Sequence, residues 1–462
     1  RIDTRDRTRC VNDVRRNMNW KKDYEAKRTS AAEAVKLVRS GDRVYAGTAS
    51  SVAYGLLAAL WDRRHELENV EIQSSQAFEP SPIFDETADN PFHYLTYFIG
   101  VGERKVYRGG LPVNFTSVHL SQVNIWSKET AKPDVAFFEV SAPDEDGYFS
   151  YGASGVACGE EIKKTARTVI LQVNKEVPYV LGEHHLIHVS EADALVEIDR
   201  PLKSYDVPES DEVAKQLAAL ILQEVPDGAT LQLGLGNVST AIGYGLKEKN
   251  DLGIHTELFN QPMLALIENG NVTNKHKGFL DCKNVYAFAL GNEKLYRFLD
   301  KNPDMYCVPF PYANDPRIIA RNKRMISINS TMAIDLYGQC ASECMAWNQQ
   351  SGTGGQADFV RGAQWSEGGK SFIVTTSSFM KNGKRMSKIV PSFPAGSVVT
   401  TPRSDVQYVA TEYGCVNLKP LTMADRARAL IRIAHPDFRE LLTDEANSTP
   451  AWRECTAQRF PT

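Results

Sequence analysis

The chain has 462 residues, 42% hydrophobic and 24% charged, with a formal net charge of −4. That length holds roughly two to four domains, and the ordinary composition is that of a globular protein. The near-neutral charge removes nucleic acid as the main partner, and no run of about 18 apolar residues predicts a membrane span.

The first stretch, "RIDTRDRTRCVNDVRRN", is Arg-rich and has no apolar signal core. Asp3, Asp6 and Asp13 set it apart from mitochondrial targeting peptides, which avoid acids. It reads as a disordered leader, with Met18 as a natural start. The expected address is cytoplasmic; a mitochondrial one follows only if the leader is a targeting remnant.

An internal repeat organises the chain beyond this leader. "SGDRVYAGTASSVAYGLLAAL" and "PDGATLQLGLGNVSTAIGYGL" share one grammar. Each has a Gly-Asp or Asp-Gly turn, a short apolar run (Val44–Ala46; Leu231–Leu233) and a small Gly-bearing turn (Gly47–Ser51; Gly234–Asn237). Each then has an amphipathic helix closing on Tyr-Gly-Leu (Tyr54–Leu56; Tyr244–Leu246) and a second strand, "LENVEIQSS" or "DLGIHTELF". Strand, turn, helix, strand predicts a right-handed parallel crossover. Two related α/β domains are therefore expected, 18–205 and 206–445, joined through Asp199 to Asp211. A helix capped by Asp211 should follow, with its apolar stripe at Val213, Leu217, Leu220, Ile221 and Val225.

Between the two copies, "HLSQVN" offers His119 as a polar site group or a core histidine. "HHLIH" (His184 to His188) has no Cys or acidic partner at zinc spacing and reads as structural. In the second copy, the turn "LGLGNVS" follows a strand and opens a helix, so its N–H groups could meet an anion. It lacks the Gly-Lys-Ser/Thr of a phosphate loop, and Ser239 replaces the third glycine of a dinucleotide fingerprint.

"GIHTELFNQP" puts Glu257 near the carboxyl end of a buried strand, ahead of a helix entry at Asn260-Gln261-Pro262. Ligands bind at that end of open α/β sheets. Aligning the copies sets Gln73 opposite Glu257, so only the second copy carries a carboxylate there. It could be a base or a nucleophile; alternatively it reaches solvent or an ion pair.

Further strands are predicted at "NVYAFAL", "MISIN", "SFIVTT" and "VQYVAT", and a final helix at "MADRARALIRIA" ending before Pro436. "SGTGGQADFVRGA" combines Gly352, Gly354 and Gly355 with an apolar anchor, a shaped loop whose N–H groups can approach an oxyanion. Arg403, Glu412 and His435 read mainly as ion pairs and caps. The eight cysteines are scattered, Cys340 and Cys344 being the closest pair, as in a reduced intracellular protein.

With "HLSQVN", "VSAPDEDGYFSYGAS", "GLGNVSTA", "DLGIHTELF", "SINSTMAIDLYGQ", "SGTGGQADFVRGA" and "IAHPDFREL" in hand, the chain resembles the acetyl-CoA hydrolase/transferase family of class I CoA-transferases. Within it, the likeness is to 4-hydroxybutyrate and butyrate:acetate CoA-transferases. The resemblance implies two open α/β domains of the NagB/RpiA-like type with the active site between them. It makes Glu257 of "HTE" the covalent nucleophile and Gly355 an oxyanion donor. It nominates Asn314, Gly352, Gly354, Gln356, Gly234, Gly236, Asn237 and His119 around CoA and substrate. It implies no metal and no permanently bound cofactor, with coenzyme A entering as substrate. Expected partners are an acyl-CoA and a short carboxylate, neither nucleic acid nor membrane, and a second copy in a homodimer or homotetramer. Asn260-Gln261-Pro262 and Ser239 depart from the family pattern and put acyl specificity in question. Acyl-CoA hydrolysis by the same glutamate and a non-catalytic CoA-binding protein stay open as alternatives.

Overall fold

Two runs of seven parallel strands lie one after the other in sequence, and the chain builds each into its own sheet. The structure is a computed structural model that describes residues 19–84, 90–110, 112–205 and 209–449; the leader and Met18 lie outside the described residues. Strands of the two large sheets are numbered in chain order. The first sheet contains β1 (Arg43–Thr48), β2 (Glu71–Ser75), β3 (His93–Thr96), β4 (Val113–Phe115), β5 (Val135–Val140), β6 (Thr168–Val173) and β7 (Ala194–Glu197). Their spatial order is β4-β3-β2-β1-β5-β6-β7. The second contains β8 (Thr230–Leu233), β9 (Gly253–Phe259), β10 (Asn284–Ala289), β11 (Met305–Cys307), β12 (Met325–Ser330), β13 (Lys370–Val374), β14 (Tyr408–Thr411) and β15 (Gly414–Asn417). Their order is β11-β10-β9-β8-β12-β13-β14-β15.

The second sheet thus repeats the strand order of the first, all parallel, and adds β15 as an antiparallel return from β14. β5, β6 and β10 are buried at every residue, as a parallel sheet covered on both faces requires. One continuous apolar core runs from Tyr45 and Phe138 of the first sheet to Leu231 and Phe288 of the second. No helix among the described residues is long and apolar enough to cross a membrane.

The register corrects the alignment of the two copies. Val44 pairs with Ile72 in the first sheet, and Leu231 pairs with Ile254 in the second. Gln73 therefore corresponds to His255, and Ser75 corresponds to Glu257. A slide of two residues preserves the alternation of faces, so the pattern alone does not detect it. The shared Tyr-Gly-Leu is also not equivalent. Tyr54 opens the helix Tyr54–Asp62, after a short turn at Ala49–Ser51, whereas Tyr244 closes the helix Asn237–Gly245. Gly236, with φ of 124°, lets the second helix start at once.

Asp211 caps the helix Glu212–Leu222 by accepting from the Ala214 N–H at 2.8 Å. That helix buries Ala214, Leu217, Ala218 and Ile221, leaving Val213 37% exposed, so its inner face is turned from the expected stripe. The helix Met423–Ile433 ends before Pro436 as expected. It is not the last: Pro436 opens a further helix, Pro436–Ser448, capped by the His435 ring accepting from the Asp437 N–H at 3.2 Å. Proline ends one helix and starts the next because the first turn needs no N–H from it.

Candidate active site

The strand order reverses between β8 and β12, so the chain leaves these neighbours in opposite directions and a crevice opens beyond their carboxyl ends. A cleft of about 310 Å³ lies there. Gly234 and Leu235 beyond β8, Asn329 to Met332 around the end of β12, and Gly352 to Gln356 form most of its wall. Gln76 and Phe98 of the first half close it. Glu257 stands on its floor, the one residue of β9 that is not fully buried.

The Glu257 carboxylate is held from two sides. Asn314 Nδ2 donates to its Oε2 at 2.7 Å, and the Gly355 N–H donates to it as well. Burial pushes its pKa up to about 7; the Asn314 and Gly355 bonds oppose that rise, while the charge of Asp358 adds to it. Among the residues lining the cleft, Glu257 is the only acid, and no Lys, Arg, His, Cys or Tyr joins it.

The glycine loop has specific steric reasons for its composition. A Cβ at Gly355 would overlap Glu257 Oε2 and Asn314 Nδ2, and one at Gly352 would overlap the Tyr97 carbonyl oxygen. Gly354 has φ of 62°, a left-handed conformation costly for most side chains. The helix Gln356–Trp365 begins directly after Gly355 and buries Ala357, Phe359 and Val360, which anchor the loop. The first half grips the same segment. Arg104 Nη2 donates to the Gln350 carbonyl at 2.6 Å, Ser117 Oγ and Thr353 Oγ1 lie 3.0 Å apart, and the Leu120 N–H donates to the Gly354 carbonyl at 3.3 Å.

Of the expected site residues, Glu257, Asn314, Gly352, Gly354, Gly355 and Gln356 converge. Gln356 lines the cleft and donates from Nε2 to Thr401 Oγ1 at 3.0 Å. Of the Gly234–Asn237 turn, Gly234 lines the cleft and Gly236 and Asn237 do not. Gly236 turns the chain into its helix, and Asn237 Nδ2 points back to Asp211 Oδ2 at 2.9 Å. His119 touches the loop only through its backbone, bridging Gly354. Its ring lies off the cleft lining, held below the ordinary pKa by burial and by Arg361.

Phe259 does not wall Glu257; it packs inward against Tyr286 and Phe298. Phe98, Leu235, Phe288 and Met332 take that place. Ser239 and Asn260 also lie off the lining, Asn260 capping the next helix by accepting from the Met263 N–H at 3.3 Å. His255 is buried, bonded through Nε2 to the Ala313 carbonyl at 2.9 Å, and burial plus Lys277 push its pKa down to about 3. His188 of "HHLIH" is a core residue bonded to Ser190 Oγ at 2.8 Å and the Asp146 carbonyl at 3.2 Å. Glu412 accepts from the Ser377 N–H at 2.8 Å, and Arg403 lies over the Tyr337 ring. The cleft residues missed from sequence include Gln76, Phe98, Phe288 and Asn329 to Met332, together with Asp358 and Ser121 behind it. The latter two sit inside quoted motifs, but only tertiary contact joins them.

Residues 12–203 match a family model described as the acetyl-CoA hydrolase/transferase N-terminal domain, and 291–446 match the corresponding C-terminal domain. The chain is 40% identical to the succinyl-CoA:cyclohexane-1-carboxylate CoA transferase of Geobacter metallireducens, over 93% of this chain and 97% of that one. It is 37% identical to the butyryl-CoA:acetate CoA-transferase of Anaerostipes caccae, over 94% and 99%. The crystal structure of RipA from Yersinia pestis superposes with a TM-score of 0.86 at 36% identity, covering 93% of this chain and 99% of that one.

Proposed function

The chain belongs to the acetyl-CoA hydrolase/transferase family, and from that premise we propose that it is a CoA-transferase with Glu257 as covalent nucleophile. It moves CoA between a small acyl-CoA and a free carboxylic acid such as acetate, butyrate or 4-hydroxybutyrate. A Glu257 oxygen attacks the thioester carbonyl. The C–S bond breaks, leaving an acyl-glutamyl anhydride and CoA thiolate. The thiolate then attacks the glutamyl carbonyl carbon, the donor acid leaves as its carboxylate, and a glutamyl-CoA thioester remains. An incoming carboxylate runs both steps backwards and departs as its CoA ester. The thioester bond is exchanged rather than spent, so no ATP is consumed.

Backbone N–H groups of the Gly352–Gly355 loop stabilise each tetrahedral oxyanion, Gly355 foremost. Gly234, Asn314, Gln356 and the loop glycines shape the acyl and CoA cleft between the two domains, taken as 18–205 and 206–445. The assembly is taken as a homodimer or homotetramer.

The observation that carries this reading is the isolation of one carboxylate in a walled cleft. A lone acid beside N–H donors suits nucleophilic attack, and nothing lining the cleft offers a second acid or base to activate water. The test pairs acetyl-, propionyl-, butyryl- and succinyl-CoA with several free acids and follows both CoA esters. A new CoA ester and a protein mass increase of one CoA less one water at Glu257 are expected. Turnover without any adduct at Glu257 would overturn the assignment.

A further inference from the structure

Gln76 lines the cleft from the first half of the molecule, and the proposed mechanism gives it no task. It directly follows β2 and is 7% exposed. Its Oε1 is buried and has no hydrogen-bond partner. A buried acceptor left unpaired costs free energy, and folded proteins leave few of them. The other amide side chains lining the cleft are paired within the protein. Gln232 Nε2 donates to Asn329 Oδ1 and Asn329 Nδ2 to Gln232 Oε1, each at 3.2 Å. Gln356 Nε2 donates to Thr401 Oγ1 at 3.0 Å.

The backbone at Gln76 is unusual as well. Its φ is 55°, a left-handed conformation that disfavours a residue with a long side chain. Neighbouring groups fix it there. The Gln76 N–H donates to the Phe98 carbonyl at 3.3 Å. Glu103, on the helix Val101–Arg108 and 1% exposed, clamps both flanks. It accepts from Ser74 Oγ at 3.0 Å before Gln76 and from the Ala77 N–H at 3.1 Å after it. The same carboxyl accepts from the Gly100 N–H at 2.9 Å, which ties down the segment that carries Phe98. Strain held in place by so many contacts is characteristic of ligand clamps.

We propose that Gln76 is a specificity-determining residue whose amide oxygen accepts a hydrogen bond from a donor on the bound acyl-CoA. This rests on the CoA-transferase reading. The cleft, about 310 Å³, is too small for the whole of CoA. What reaches Gln76 is therefore the acyl group or the adjoining end of the pantetheine arm. The donor is a hydroxyl on the first or an amide N–H on the second. Phe98, Leu235, Phe288 and Met332 accept the apolar part of the acyl chain. A plain alkyl chain offers Oε1 nothing, and a site with a buried polar group discriminates against the substrate that leaves it unpaired.

The test uses the full-length enzyme and begins with the parent, trapped by borohydride after incubation with acyl-CoA. Gln76→Met, which keeps the length of the side chain and removes the acceptor, is then compared on butyryl-, 3-hydroxybutyryl-, 4-hydroxybutyryl- and succinyl-CoA. If the donor is an acyl hydroxyl, the ratio of kcat/KM for a hydroxybutyryl-CoA to that for butyryl-CoA should fall about tenfold or more. If it is the pantetheine amide, KM should rise by a similar factor for all four. Gln76→Asn suits the left-handed backbone better and withdraws the amide by one methylene. It should shift the same ratio or the same KM, and it carries the test if Gln76→Met does not fold. A loss confined to succinyl-CoA would mean that the amide donates to a carboxylate, and overturns the inference. So does a lowered melting temperature with the ratio and KM unmoved, as a purely structural role predicts. An adduct at Glu257 in the parent with unmoved kinetics in both variants overturns this inference alone. No adduct in the parent overturns the proposed function and this inference together.

Discussion

In the folded protein the Glu257 carboxyl keeps its proton up to about pH 7, against 4.5 for an ordinary glutamate. The folded state therefore binds that proton more tightly than the unfolded chain does. Stability is lost as pH rises from the unfolded value through the folded one, and the loss is complete above about 7. Its size is on the order of 3 kcal/mol. Glu257→Gln removes that cost, so the variant should melt a few degrees higher than the parent at pH 8 and close to it at pH 4. The same substitution should abolish transfer, because an amide does not attack the thioester. Calorimetry at both pH values, with deamidation excluded by mass, checks the pair; a Gln variant that turns over, or gains nothing at pH 8, contradicts it. In the parent the carboxylate is the reactive form, so transfer should fall as pH drops through about 7, which a kcat profile reads directly.

At the scale of elements, the glycine loop shows how packing and chemistry use the same residues differently. A methyl at Gly355 displaces only the ends of two side chains, Glu257 and Asn314. Gly355→Ala should therefore keep its melting temperature within a few degrees and lose about a hundredfold or more in kcat, the usual scale for disturbing one oxyanion donor. A methyl at Gly352 meets the Tyr97 backbone of the first half instead, which moves only if the halves part. Gly352→Ala should lower thermal stability and activity together, read by scanning calorimetry beside a transfer assay. The loop was legible in sequence because three glycines ahead of "ADFV" advertise unusual backbone shape. The strands were legible for a similar reason: "NVYAFAL" and "MISIN" can only be buried runs. What pattern could not supply was register. Phe259 shares Glu257's parity but packs inward against Tyr286 and Phe298. Ser121 and Asp358 are 237 residues apart, and local pattern carries no information on that pairing.

At the scale of the whole molecule, the repeat set the frame and the junction between its copies made the site. Only the second copy has a carboxylate at this strand end; Ser75 takes the equivalent place in the first, buried and in hydroxyl contact with Thr48 at 3.0 Å. The first half instead supplies Gln76 and Phe98 as the lid of the second half's cleft. This arrangement favours transfer over hydrolysis. In the proposed mechanism both the anhydride and the glutamyl-CoA thioester are open to water unless the cleft excludes it. Phe98, Leu235, Phe288 and Met332 give it apolar walls, and no histidine or second acid lines it to deprotonate water. His255, the nearest histidine along the strand, is spent on the Ala313 carbonyl. Acid-dependent exchange should therefore exceed hydrolysis by about a hundredfold, which asks for only ~2.7 kcal/mol of preference. Free thiol from acetyl-CoA should stay low with or without a second carboxylate, while a new CoA ester forms only when the acid is present. Phe98→Ala opens the lid from the first half without touching Glu257, and it should raise thiol release severalfold while exchange falls. Fast thiol release from the parent, indifferent to added acid, would identify a hydrolase and mean that water reaches Glu257 past these walls.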